Sequence, residues 1–253
     1  MEKLKQNIII NQEFSHLKNE LLKIDTFFNS SEITIHNARN KLKIIEIDSV
    51  KLVVKSFKVP NLFNKIVYTS LKSSKAKKSY LNGVRLIELG IQTPTPVAYI
   101  ETYKLGFLDK SYCITICEEY DFTIREVFHH KVEDVEIILK QFAQFTYNLH
   151  QKGIWHVDYS LGNILITKKE DYYKFSLVDI NRMKFNTILP AEGLKNFNKF
   201  WAKDENDLVI IAKEYARLSG FDEEKAIQIL IEEQKKVIDF KNKKKQIKQL
   251  LGK

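Results

Sequence analysis

The sequence predicts an α+β fold in two lobes, strand-rich first and mainly helical afterwards. Three observations predict it. Short segments rich in β-branched residues, separated by polar turns, dominate residues 32–118. Helical periodicity dominates from residue 119 onward. A hydrophobic content of 44 % in 253 residues supplies a sizeable core. The chain reads as one domain: an N-terminal helical extension over 1–31, an N-lobe over 32–118, and a C-lobe over 119–253 ending in a basic helix or tail.

Each element has its own signal. Phe14, Leu17, Leu21, Ile24 and Phe28 recur at three- and four-residue spacing, which predicts an amphipathic helix over Glu13–Phe28. Glu32–Ile35, Leu42–Ile47 and Leu52–Phe57 read as consecutive antiparallel strands. Ser73 or Ser74 caps a helix that runs to about Leu89 and stops at Gly90. Thr93-Pro94-Thr95-Pro96 is extended, because a residue before proline is pushed away from helix. Val97–Thr102 and Tyr112–Cys117 read as two more strands, followed by a linker around Cys117–Asp121. Thr123–Phe128 predicts a short helix. Val135–Gln151 predicts a long one stopped by Gly153. Ile164–Thr167 and Phe175–Val178 form a strand pair, and the chain is helical from about Gly193.

Composition excludes several classes. Eight Gly and four Pro exclude collagenous or low-complexity chains, and two Cys exclude a disulfide scaffold or a four-thiolate zinc site. Cys113 and Cys117 lie in an apolar run and read as core thiols of a reducing compartment. The start MEKLKQNIIINQEF has no signal-peptide h-region. The longest apolar run, Leu208–Ala212, falls far short of the roughly 20 residues of a membrane span. A cytoplasmic protein, at most peripheral at the inner membrane, is expected. The net charge of +9 is concentrated at the end: Lys235–Lys253 holds eight Lys against Asp239. The other 234 residues carry 33 basic and 31 acidic groups, a net of +2. Such a tail is either a solvated terminal helix or a surface for an anionic membrane or nucleic acid.

The chemistry-bearing stretch is Ile154-Trp155-His156-Val157-Asp158-Tyr159-Ser160-Leu161-Gly162-Asn163-Ile164, with Leu177-Val178-Asp179 following after the strand pair. The pattern H-x-D-x4-N, an apolar strand, then D resembles the catalytic loop and metal-binding Asp of the protein-kinase-like superfamily. Phosphoryl transfer needs a carboxylate beside the acceptor hydroxyl and hard oxygen ligands for a divalent cation near the phosphates. The resemblance implies a protein-kinase-like two-lobed fold, Asp158 as the catalytic carboxylate, and Asn163 and Asp179 as ligands of Mg²⁺. His156 is then structural behind the loop. Lys55, between apolar neighbours in the third strand, grips the nucleotide phosphates. Backbone groups near Glu118, Glu119 and Tyr120 meet the adenine edge.

Details select a subfamily. Position 160, where protein-substrate kinases usually carry a Lys, is Ser. Asp179-Ile180-Asn181-Arg182-Met183 replaces Asp-Phe-Gly. Together with Ala76-Lys77-Lys78-Ser79-Tyr80 and Gly90-Ile91 through Pro96, this resembles the lipopolysaccharide core kinases over about Ile33 to Phe185. Those enzymes phosphorylate 3-deoxy-octulosonate or heptose sugars of the inner core. The resemblance implies ATP and Mg²⁺ as cofactors and a core sugar as acceptor, with Arg182 as a supporting residue.

Two departures stand out. The turn His36–Lys41 has no Gly with which to bring backbone N–H groups to the phosphates, so Arg39 or Lys41 either offers side-chain charge or is a solvated turn residue. The only acid in the Ser74–Leu89 helix is Glu88, at its C-terminal end, where it either supports Lys55 or is a surface charge. The alternatives are a small-molecule (antibiotic-type) kinase, a protein Ser/Thr kinase, and a pseudokinase binding module. The intact Lys55, Asp158, Asn163 and Asp179 oppose a dead site. No nucleic-acid partner is expected, because the tail has no series of interleaved aromatics, Phe240 standing alone in it. Contact of Lys235–Lys253 with an anionic membrane is expected instead.

Overall fold

The structure is a computed structural model and describes residues 5–37, 40–58 and 73–250. The chain forms two compact units, residues 1–119 with 179–182, and residues 120–178 with 183–253.

The first unit is built on a sheet of β1 (Lys5–Ile10), β2 (Thr34–Asn37), β3 (Lys41–Ile47), β4 (Val50–Ser56), β5 (Pro96–Lys104) and β6 (Phe107–Ile116). The spatial order is β1-β5-β6-β4-β3-β2, and each neighbouring pair is antiparallel. β1 departs from the expected helical extension. Ile8, Ile9 and Ile10 are β-branched and pair with Ile100, Tyr99 and Ala98, so the segment joins the sheet as an edge strand. Its partner lies some 90 positions away, which leaves no local signature.

The predicted helix over Glu13–Phe28 is three short pieces: a 3-10 turn Gln12–Leu17, α1 (Lys18–Leu21) and α2 (Ile24–Ser30). The apolar face is as predicted, for Phe14, Leu17, Leu21, Ile24 and Phe28 are all buried. The backbone breaks at Phe14 (φ −105°, ψ 18°), Leu17 (ψ 4°) and Lys23 (ψ 13°). Tight i→i+3 bonds, such as Lys23 N–H to the Glu20 carbonyl at 2.9 Å, join the pieces. Burial of one face selected the contacts and tolerated the breaks.

Strand alternation decides what each sheet face carries. Leu52 and Val54 of β4 enter the core made with the N-terminal turns, alongside Ile45, Ile100 and Ile114. The opposite face carries a second core of Phe57, Ala76, Tyr80, Tyr99 and Cys113. Lys55 points to that face, directly across from Cys113 in register. Helix α3 (Lys75–Glu88) covers it, and Ser74 Oγ caps α3 by accepting from Lys77 N–H at 3.0 Å. Burial pushes the Cys113 thiol up to about 12, so it is an inert core group.

The second unit is organised by α5 (Val135–Gln151), which follows β7 (Phe122–Thr123) and the short α4 (Ile124–Phe128). Thr123 and Glu126 form a reciprocal capping box at α4. Phe142 at the centre of α5 is fully buried, with ring centroids 5.2–5.8 Å from Tyr159, Phe175, Phe197 and Phe200. β9 (Ile164–Lys168) and β10 (Tyr173–Leu177) form a hairpin extended by β7, and β8 (Ile154–His156) pairs with β11 (Met183–Phe185). Gly153 makes the turn into β8 with φ +69°, and a Cβ there would sit 2.9 Å from the Asn186 carbonyl oxygen. The remaining elements are α6 (Pro190–Leu194), a 3-10 turn Lys195–Lys199, α7 (Glu205–Ser219) and α8 (Glu223–Leu250). Ala226, Leu230 and Gln234 anchor the first half of α8, and Gln234 exchanges two hydrogen bonds with the Ala202 backbone.

Candidate active site

Within the first unit, Lys55 meets Asp179. Lys55 Nζ lies 2.5 Å from Asp179 Oδ1, and their side chains are 16 % and 35 % exposed. The same oxygen accepts from Asn181 Nδ2 at 2.7 Å. Asp179 holds a left-handed backbone (φ +56°), a conformation costly for a residue with a side chain and kept only where its surroundings fix it. Those surroundings come from the middle of α3. Asn82 Nδ2 donates to the Ile180 carbonyl at 2.6 Å. Gly83 lets the helix approach, for a Cβ there would lie 2.6 Å from Pro96 Cγ and 3.4 Å from Ile180 Cδ1. Asn-Gly in a helix interior opposes helix propensity by about 1 kcal/mol for the glycine alone. It was the available signal for this docking, and the motif reading passed over it.

Within the second unit, the H-x-D-x4-N stretch is a closed loop. His156 is fully buried; its Nδ1 accepts from Asp158 N–H at 3.1 Å. Its Nε2 therefore carries the proton, donated to the Val178 carbonyl at 3.1 Å. Asn163 Nδ2 donates to the Asp158 carbonyl at 2.8 Å, and Asn163 N–H to the Ser160 carbonyl at 2.9 Å. The Asn163 carbonyl accepts from Val178 N–H at 3.0 Å. His156 and Asn163 thus both hold Val178, the residue immediately before Asp179. The Asp158 side chain is 20 % exposed and pairs with Lys199, whose Nζ is 3.2 Å from Oδ1.

Lys199 escaped the motif reading. It comes from the 3-10 turn, 41 positions beyond Asp158, and no spacing rule links them. Beneath it lies a buried network. His150 Nδ1 accepts from Tyr215 Oη at 2.8 Å, and its Nε2 donates to Asn196 Oδ1 at 3.3 Å. Burial holds His150 down at about 4, so it is neutral near pH 7. Asn196 Nδ2 in turn donates to the His156 carbonyl at 3.0 Å.

The remaining expected residues fall as follows. Glu88, put forward as support for Lys55, is exposed in the last turn of α3; the acid beside Lys55 is Asp179. Glu88 fails the role because it follows the docked middle of the helix by more than a turn. Arg182 is exposed in the 3-10 turn Ile180–Arg182. Glu118 is half-buried and Tyr120 exposed, both in irregular backbone between β6 and β7. Arg39 lies outside the described residues.

None of the curated proteins compared with the chain matches it. The structure of WaaP in complex with acyl carrier protein aligns with 92 % of this chain and 98 % of its own, with a TM-score of 0.62 at 16 % identity. That likeness makes the fold protein-kinase-like. The profile of the lipopolysaccharide kinase (Kdo/WaaP) family matches residues 60–203, more than half of the 253, and spans Asp158, Asn163 and Asp179. The chain belongs to the lipopolysaccharide kinase (Kdo/WaaP) family and is an ATP-dependent kinase of a lipopolysaccharide core sugar.

Proposed function

We propose that the acceptor is a hydroxyl of 3-deoxy-octulosonate or heptose in the inner core. Asp158 orients that hydroxyl and takes its proton, and Lys55 holds the nucleotide phosphates. Asn163 and Asp179 ligate Mg²⁺, with Glu118 and Tyr120 beside the adenine. The observation that carries this reading is the closed His156–Asn163 loop, whose hydrogen bonds hold Val178, the residue before Asp179 in the sequence.

The donor set fits the metal. Asn163 spends its amide nitrogen on the Asp158 carbonyl, so Oδ1 is its ligating atom, and Asp179 adds a carboxylate. Both are hard oxygens, the class that Mg²⁺ takes. When bound, the cation offsets charge on the transferring phosphoryl group. The rest is done by the chain: His156 fixes the loop backbone, Lys55 supplies a cation at the phosphates, and Asp158 receives one proton as the hydroxyl oxygen bonds to the γ-phosphorus and the bond from that phosphorus to the β,γ-bridging oxygen breaks, which releases ADP. Mass spectrometry of lipopolysaccharide from a strain lacking the gene tests the reading: one core phosphate should be missing.

The same proposal places the protein at the anionic inner face of the cytoplasmic membrane. Among the described residues no helix is long and apolar enough to cross a membrane. The first half of α8 is packed, and in its second half Phe240 at 68 % and Ile247 at 56 % are exposed, as are Lys243 and Lys244. Each Lys near an anionic surface contributes about 1 kcal/mol, screened by salt. Co-sedimentation with phosphatidylglycerol vesicles should pellet the protein at low salt and release it at high salt. Removal of residues 243–253 should weaken pelleting while leaving ATP affinity unchanged. Full-length protein that stays in the supernatant at low salt would contradict membrane contact.

A further inference from the structure

Residues 196–200 grip the loop at four of their five positions. Asn196 Nδ2 bonds the His156 carbonyl at 3.0 Å. Lys199 Nζ bonds the Val157 carbonyl at 2.7 Å and Asp158 Oδ1 at 3.2 Å. Phe197 and Phe200, both fully buried, set their rings 6.3 and 5.3 Å from Tyr159. The two phenylalanines flank Lys199 in sequence and belong to the aromatic core around Phe142. The core therefore fixes where the Lys199 backbone sits, and one ammonium ties a backbone carbonyl and a carboxylate of adjacent residues.

That arrangement does something the loop cannot do alone. An Asp side chain has two rotatable bonds. A cation anchored at the preceding carbonyl restricts it to the rotamers in which one oxygen faces the ammonium. Ser160, two residues after Asp158, offers no such charge. We propose that Lys199 is the positioning residue of the Asp158 carboxylate, supplying from a distant segment the cation that the loop itself lacks. The proposal rests on Asp158 being the catalytic carboxylate. Lys199 acts through it: the ammonium makes and breaks no covalent bond and keeps its proton, and the acceptor's proton still goes to Asp158. Loss of such positioning costs on the order of 10–10²-fold in rate, because a carboxylate misplaced by about 1 Å no longer meets its proton squarely.

The test uses purified full-length kinase, ATP, and lipopolysaccharide from a strain lacking the gene as acceptor. Lys199→Ala should lower kcat by roughly 10–10²-fold with KM for ATP unchanged. Lys199→Arg should keep most of the rate, and added ethylammonium should restore part of the Lys199→Ala rate. The Asp158→Ala/Lys199→Ala double variant should be no slower than Asp158→Ala, because a positioning residue has nothing left to position. The proposal is overturned by additive losses in the double variant, by a Lys199→Ala loss that neither Arg nor the amine recovers, or by a Lys199→Ala rate equal to wild type. Wild-type turnover by Asp158→Ala would remove the underlying reading itself, which separates the two failures.

Discussion

Asp158→Ala should reduce phosphate transfer by on the order of 10²–10⁴-fold, the usual contribution of a positioned general base, or about 3–5 kcal/mol in the barrier. Two features confine the loss to chemistry. The backbone of the loop is closed by His156 and Asn163 through main-chain atoms of residue 158, which alanine retains. The Lys199 ammonium loses one partner, keeps the Val157 carbonyl at 2.7 Å, and is 35 % exposed, so water replaces the carboxylate. Melting temperature and ATP affinity should therefore stay near wild type. Steady-state kinetics beside a thermal melt checks this; a variant with near wild-type turnover contradicts the role given to Asp158.

The second large effect concerns the Lys55–Asp179 pair. Asp179→Asn should weaken Mg-ATP binding by roughly 10–10²-fold and raise the Mg²⁺ requirement, because a charged oxygen ligand becomes a neutral one. Lys55→Ala removes the cation proposed for the phosphates and should lower kcat/KM by on the order of 10²-fold. The residues share one contact of 2.5 Å, so their effects should not add. In Lys55→Ala the Asp179 carboxylate keeps Asn181 and is 35 % exposed, and in Asp179→Asn the amide oxygen still accepts from Lys55, so the cost to the fold is limited. Nucleotide titration with and without Mg²⁺ reads both effects. Unchanged Mg-ATP affinity in both variants contradicts the assignment.

What was legible in the sequence was local. The strands over 42–57 and the helix Val135–Gln151 announce themselves because side-chain period and burial coincide within one segment. Lys55 was legible for the same reason, since the apolar residues flanking it left no other strand face for it. β1 was not, because an edge strand takes its meaning from a partner far along the chain. The N-terminal periodicity read the buried face correctly but not the breaks, since three short turns present the same stripe as one helix. For the site, the motif spacing put forward Asp158, Asn163 and Asp179. The residues that hold them were harder to see. Asn82 and Gly83 broke a helical rule that was there to be noticed, whereas Lys199 broke none, because its pairing with Asp158 is created by the packing of Phe197 and Phe200. Glu88 was the acid available in its helix, and tertiary structure brought a different one to Lys55.

The central claim is that this chain places a phosphate on a core sugar through Asp158. Mass spectrometry of lipopolysaccharide tests it most directly, in a strain lacking the gene and in the same strain carrying either the wild-type or the Asp158→Ala protein. The account predicts a core short of one phosphate in the deletion strain, restored by the wild-type chain and not by the Asp158→Ala chain. A core with the same phosphates in all three strains would contradict it.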